Sequence, residues 1–306
     1  MRVTVIGTFI KDVIYHWDGS RSHSLGGLMY TLIPLKALLA ANDELTPVCR
    51  VGEDIYDAVV DRLTDDPITR TEGLIKAPQL NNNVELRYFS PQERQEQSLH
   101  PLPPFTFAEI EPFLDADALF INMISGWELD AALLGRIRKS YNGLIFLDIH
   151  SLALGRKKDG TRFYRPIPQG KEWLYNADVI QLNRSEWQAL AGEEEPEIFL
   201  KDCCFNQHKI VNLLLSWEGS KTFILRDGAV DVFAIAPPQN IAVVDPTGCG
   251  DAYLAGFGIT YLKTADPHKA ARTANRCAAL MGSFKGLPES KEFISRYRTL
   301  NGEMDE

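Results

Sequence analysis

Gly248, Cys249, Gly250 and Asp251 are the stretch of this sequence whose residue types and spacing best suit chemistry. They lie in Ile241-Ala-Val-Val-Asp-Pro-Thr-Gly-Cys-Gly-Asp-Ala-Tyr-Leu-Ala-Gly-Phe257, where an apolar run enters a glycine-bracketed turn and the turn opens a helix. Glycines at 248 and 250 allow tight backbone geometry that a Cβ would obstruct. The amides of Gly248, Cys249 and Gly250 can then point together at the helix start. A helix N-terminus carries free N–H groups and about half a positive charge, so this turn can bind an anion without a basic side chain. Asp251, in the first helical turn, has two readings. It is an ordinary carboxylate at a helix start, or it accepts a proton from an attacking hydroxyl while the amides hold a transferring phosphoryl group.

Two other glycine-loop chemistries are excluded. GxGxxG fails because Tyr253 stands at the third glycine position, and no acidic residue ends a strand about 20 positions on, as a dinucleotide-binding dehydrogenase requires. The P-loop pattern GxxxxGK(S/T) is absent. Six histidines are scattered from His16 to His268 with no HxxxH or HExxH, so no structural zinc is expected. On spacing alone, Asn183 and Glu186 make a capping-box-like pair at a helix start.

The chain of 306 residues carries 32 Lys plus Arg against 41 Asp plus Glu, a net charge of −9. That balance argues against nucleic acid as the main partner, while leaving room for a small phosphorylated ligand held by local donors. Five cysteines, odd in number and without a CxxC, read as reduced thiols in a cytoplasm. The N-terminal MRVTVIG enters an apolar strand with no signal-peptide pattern. No apolar run approaches the roughly 20 residues needed to span a bilayer, so no membrane partner is expected.

The elements that position the turn alternate. Strands are expected at 3–7, 46–51, 118–122, 143–149, 179–182 and 241–244, with a hairpin of 221–226 and 230–235 around Asp227-Gly228. Helices are expected at 28–41, 54–63, 128–140, 184–191, 196–217, 249–263, 267–284 and 289–299. This order implies an α/β fold, a mostly parallel sheet with helices on both faces. Residues 71–107 differ, with five prolines, the tract Asn81-Asn82-Asn83 and an alternating segment at 84–89. Together with 8–26 they read as a small β lid, or as irregular loops on the core.

DPTGCGDAYLAGF resembles the C-terminal signature of the PfkB/ribokinase family of sugar and nucleoside kinases. Asp245, Thr247, Gly248, Gly250 and Asp251 match it, with Tyr253 for the usual Phe. Further pieces follow in family order: VTVIGTFIKD ending in Asp12, Gly26-Gly27, Val51-Gly-Glu-Asp54, and Asn183-Arg-Ser-Glu186. The resemblance spans essentially the whole chain. It implies a three-layer ribokinase-like fold, one kinase domain over 1–306 with the lid segments inserted, and transfer of the ATP γ-phosphoryl to a hydroxyl of a small sugar, polyol or nucleoside. By similarity Asp251 is the base and the amides of 248–250 the anion hole. Asn183 and Glu186 organise Mg²⁺ and the ATP phosphates, Glu186 through water. Asp12 binds an acceptor hydroxyl, Gly27 belongs to the lid hinge, and adenine lies between the turn Ser216–Gly219 and the C-terminal helices near Asn275. Asp245 and Thr247 match positions that bind K⁺ in some relatives.

The chain also departs from the family. Thr31 stands where relatives often carry a substrate-binding Asn, with Tyr30 and Met29 adding bulk beside it; a hydroxyl cannot make the paired contacts of an amide. His150 replaces the Asn of a D-x-N strand end and reads as either a substrate contact or a lone satisfied histidine. The basic stretch 155–162 reads as a solvated loop or a contact to an acceptor phosphate. Cys249, at a helix N-terminus, is expected to have a lowered thiol pKa. The alternative to a kinase is a catalytically silent sugar or nucleotide sensor of the same fold. A homodimer through open lid edges is a further expectation.

Overall fold

The computed structural model describes residues 1–15, 18–89 and 94–302; parts of the expected lid at 16–17 and 90–93 lie outside the described residues. A nine-stranded sheet organises the chain. Its strands are β1 (Arg2–Ile6), β4 (Glu44–Gly52), β5 (Leu74–Ala77), β8 (Ala118–Asn122), β9 (Leu144–Asp148), β12 (Val179–Asn183), β13 (Lys209–Leu214), β14 (Ser220–Arg226) and β15 (Ala229–Ile235). They lie in the order β15-β14-β13-β12-β9-β8-β1-β4-β5. Every pairing from β13 to β5 is parallel, and β14 and β15 close one edge antiparallel.

Helices cover both faces, which is why the central strands are apolar on successive residues instead of alternating. Val3, Val5, Phe120 and Phe146 pack on one face with α1 (Met29–Leu38), α2 (Tyr56–Thr64), α8 (Cys249–Thr264), α9 (Pro267–Gly282) and α10 (Ser290–Gly302). Ile6, Leu119, Ile121, Ile145 and Leu147 pack on the other. Their partners there are α3 (Phe107–Ile110), α4 (Ala131–Ser140), α5 (Gly170–Asn176), α6 (Arg184–Ala191) and α7 (Pro196–Cys204).

A four-stranded sheet stands apart, in the order β3-β2-β6-β7, built from β2 (Phe9–Tyr15), β3 (Arg21–Gly27), β6 (Asn83–Tyr88) and β7 (Arg94–Leu99). It begins three residues after β1 and returns to the main body through α1, so it hangs over the C-terminal ends of the parallel strands. Open α/β sheets bind ligands at those ends.

The structure differs from the sequence expectation in four places. The expected helix 196–217 stops at Cys204, and Lys209–Leu214 becomes β13 between β12 and β14. Ile210-Val-Asn-Leu-Leu-Leu is a short apolar run that suits either state, and sheet pairing decides it. Leu74–Ala77, expected in the lid, pairs with β4 in the main sheet. Residues 241–244 form no strand; the amide of Val244 instead donates to the Gly282 carbonyl at 2.7 Å. The basic stretch is a hairpin of β10 (Leu154–Arg156) and β11 (Arg162–Tyr164). Its arginines are consumed internally: Arg156 Nε donates to the Ser98 carbonyl and Arg162 Nη1 to that of Ser125.

Candidate active site

The glycine turn opens α8 beneath the lid. Gly248 caps the helix at φ +78°, and an ideal Cβ there would fall 2.0 Å from the Tyr30 ring, so conformation and packing both demand glycine. Asp245 staples the loop, its two oxygens accepting the amides of Thr247 (2.9 Å) and Gly286 (3.0 Å). One expectation is corrected here. The Cys249 amide donates to the Pro246 carbonyl at 3.2 Å to close the turn, so it does not converge with its neighbours on an anion. Helix bonding begins with the Ala252 amide on the Gly248 carbonyl, which leaves the N–H groups of Gly250 and Asp251 outside the ladder. An ideal Cβ on Gly250 would meet nothing closer than 3.6 Å, so space is open beside these amides. The Cys249 thiol is also not activated. Burial, with Asp245 and Asp251 adding to it, pushes its pKa up to about 12.

Asp251 is 7% exposed. Its Oδ1 accepts from Asn122 Nδ2 at 2.6 Å and from the Thr31 hydroxyl at 3.4 Å, while Asn122 Nδ2 also donates to Thr31 Oγ1 at 2.8 Å. Thr31 is fully buried behind Asp251, so it braces the carboxylate and does not line a cavity as a substrate contact. Asn122 was not singled out from sequence. The signal was present: a lone amide closing the otherwise apolar strand Ala-Leu-Phe-Ile-Asn.

In front of Asp251 lies a cavity of about 380 Å³, walled by Glu96, Asp148, His150, Gln181 and Glu186. Glu96 comes from lid strand β7, Asp148 and His150 from the end of β9 and just beyond it, Gln181 from the middle of β12, and Glu186 from the first turn of α6. His150 holds a left-handed φ of 38°. Burial opposes its charge, but Asp251, Asp148 and Glu186 outweigh that, and the imidazole pKa is raised. It is therefore a wall of the site and not a remote core histidine. Burial pushes the Asp148 carboxyl up, and Gln181 Nε2 donates to it at 2.9 Å.

Asn183 and Glu186 form the capping box expected from spacing: each backbone N–H meets the other's side chain, and Asn183 Nδ2 donates to Glu186 Oε1 at 2.7 Å. Glu186 still faces the cavity, and burial raises its pKa, so a cation there would relieve its buried charge. Among the described residues no three potential metal-ligating side chains converge. One carboxylate with open space suits Mg²⁺ held largely by water and ligand oxygens.

Ser216 and Pro246 connect this cavity to an apolar slot of about 210 Å³. Trp217, Val243, Cys249, Ala278 and Ala279 line the slot. Trp217, 69% exposed, stands on the turn between β13 and β14. Asn275 touches the slot, but its amide ties α9 to β14 through Ser220 Oγ at 2.8 Å. Gly219, at φ +91°, shapes the turn and is absent from the slot wall.

On the other side of Tyr30 a cavity of about 590 Å³ opens under the lid, lined by Asp12, Ile14, Ser24, Leu86 and Asp245. Burial pushes the Asp12 pKa to about 7 against a 3.3 Å bond from Ser24, with Glu96 and Asp251 adding to the rise. Near neutral pH this carboxyl can therefore donate as well as accept. Gly26 faces Asp12 and Tyr30, whereas Gly27 packs against Thr8 and Ile10 at the joint between β3 and α1 and is not part of the wall of this cavity.

A three-layer α/β sandwich with a detached β sheet over its strand ends is the ribokinase architecture, and comparison with solved structures agrees. A pyrophosphate-dependent kinase in the ribokinase family superposes with a TM-score of 0.76 at 19% identity, covering 96% of this chain and 99% of the other. Residues 160–292 match the family described as pfkB family carbohydrate kinase. The chain thus shares the fold of ribokinase-family structures and, over residues 160–292, is similar to pfkB family carbohydrate kinases. Fructokinase of Escherichia coli is 28% identical over 124 residues, and this stretch spans only 38% of either chain. Cytidine kinase of Thermococcus kodakarensis is 23% identical over 305 residues, 96% of each chain.

Proposed function

We propose that the whole chain is one ATP-dependent kinase that phosphorylates a hydroxyl of a small sugar, polyol or nucleoside. The observation that carries this reading is the cavity in front of Asp251, which Ser216 and Pro246 join to the apolar slot and which lid residue Glu96 helps to wall, with the lid-covered space bounded by Asp12 on the other side of Tyr30. The slot suits a flat, apolar-faced base, which favours a nucleoside triphosphate over bare pyrophosphate as donor.

Its γ-phosphate would lie on the open side of Gly250, near the amides of Gly250 and Asp251. The acceptor hydroxyl gives its proton to Asp251 as its oxygen forms a bond to the γ-phosphorus. The bond from that phosphorus to the bridging oxygen breaks, and ADP leaves. Mg²⁺, when bound near Glu186, would offset charge on the phosphates. Asp12 would orient the acceptor, and Glu96 would bring the lid over it. Both Asp245 oxygens already accept main-chain bonds, so no monovalent ion is assigned there. The lid's outer strand β3 is the edge on which two copies would pair. Five free thiols suit a reducing, cytoplasmic setting, and among the described residues no helix is long and apolar enough to cross a membrane.

The test is ADP formation with ATP and Mg²⁺ against a panel of hexoses, pentoses, inositols and nucleosides. Acceptor-dependent ADP release is expected for at least one class. ATP binding without turnover for any of them would favour the sensor instead.

A further inference from the structure

Asn122 ends β8, and every other residue of that strand is apolar. It is 0% exposed, and its carbonyl Oδ1 has no hydrogen-bond partner. A buried acceptor left unsatisfied costs stability, and an aliphatic side chain of the same size would avoid that cost. What the amide supplies is its donors. Nδ2 reaches Asp251 Oδ1 at 2.6 Å and Thr31 Oγ1 at 2.8 Å, and the Thr31 hydroxyl is 3.4 Å from the same Asp251 oxygen. Three side chains from β8, α1 and α8 thus close a triangle behind the first turn of α8.

A second buried amide, in the middle of β12, also holds the start of α8. Gln181 of β12 is 1% exposed, its Nε2 donates to the Gly250 carbonyl at 2.8 Å, and its Oε1 is also without a partner.

We infer that Asn122 is a positioning residue for Asp251: it ties down Oδ1, fixes the carboxylate in one rotamer, and leaves Oδ2 directed at the acceptor hydroxyl. Thr31 completes the clamp from α1. This inference rests on the reading of Asp251 as the base, and its test separates the two.

Asn122→Leu removes the donor and the orphaned carbonyl at nearly constant volume. Its kcat should fall about 10- to 100-fold, the loss expected when a reacting group is misplaced by about 1 Å. KM for ATP and acceptor should stay within about twofold, and the melting temperature should hold or rise. A crystal structure of the variant should show the Asp251 carboxylate in more than one rotamer. Asn122→Ser, which carries a shorter donor, provides a second variant should Leu fail to fold, with the same kinetic split expected. A kcat within about twofold of wild type with one Asp251 rotamer overturns the inference, as does a parallel loss of kcat and melting temperature. Should the wild type turn over no acceptor, the kinase reading fails, and the rotamer alone still decides whether Asn122 holds Asp251.

Discussion

Gly248 and Gly250 are the same amino acid two positions apart with different duties. Gly248 must be glycine for the protein's own sake, because φ is +78° and the Tyr30 ring fills the place of a Cβ. At Gly250 a Cβ would meet no protein atom within 3.5 Å, so the space beside it is available to a ligand. Gly248→Ala should therefore lower unfolding free energy by about 2 kcal/mol or more, since left-handed strain and a ring clash add. Gly250→Ala should leave stability unchanged or raise it by up to about 1 kcal/mol, as alanine does in helices. It should also cut turnover by more than about tenfold by crowding the phosphoryl group. Urea titration beside steady-state kinetics checks both; equal stability losses would contradict the distinction. These residues were legible in the sequence because their chemistry is local. Asn122 was not: it lies 129 positions from Asp251, and only the folded sheet makes them neighbours. Thr31 was noticed but given the wrong partner, because its spacing in the chain says nothing of which way α1 turns it.

At the level of elements, the alternation of strands and helices was readable because apolar runs and Gly or Asp turn signals are short-range features. The errors fell where pairing decided the outcome: β13 inside an expected helix, β5 moved from lid to main sheet, and a hairpin in place of a basic loop. The loop 241–244 misled because Ile241, Val243 and Val244 suggest a strand, yet here Ile241 and Val243 wall the slot. That slot depends on small residues of α9 facing the turn at Trp217. Ala278→Phe should fill it and raise KM for ATP by more than about tenfold, with a smaller change in KM for the acceptor. Equal KM values in variant and wild type would place the donor base elsewhere.

For the molecule as a whole, a net charge of −9 makes long-range attraction of a triphosphate unfavourable, so binding must be local. Main-chain amides at the start of α8, a carboxylate at Glu186 that a cation would neutralise, and a lid that brings Glu96 over the gap together supply such a locality. Lid residue Glu96 and the strands beneath the lid wall the cavity in front of Asp251, and that acid has its back to a clamp and its face to open space. The central claim is that Asp251 takes the proton from the acceptor. The direct measurement is single-turnover phosphoryl transfer by Asp251→Asn, with ATP affinity measured separately by calorimetry. Transfer should slow at least a hundredfold while ATP affinity stays within about threefold of wild type. Transfer at near wild-type rate, with ATP bound normally, would contradict the account.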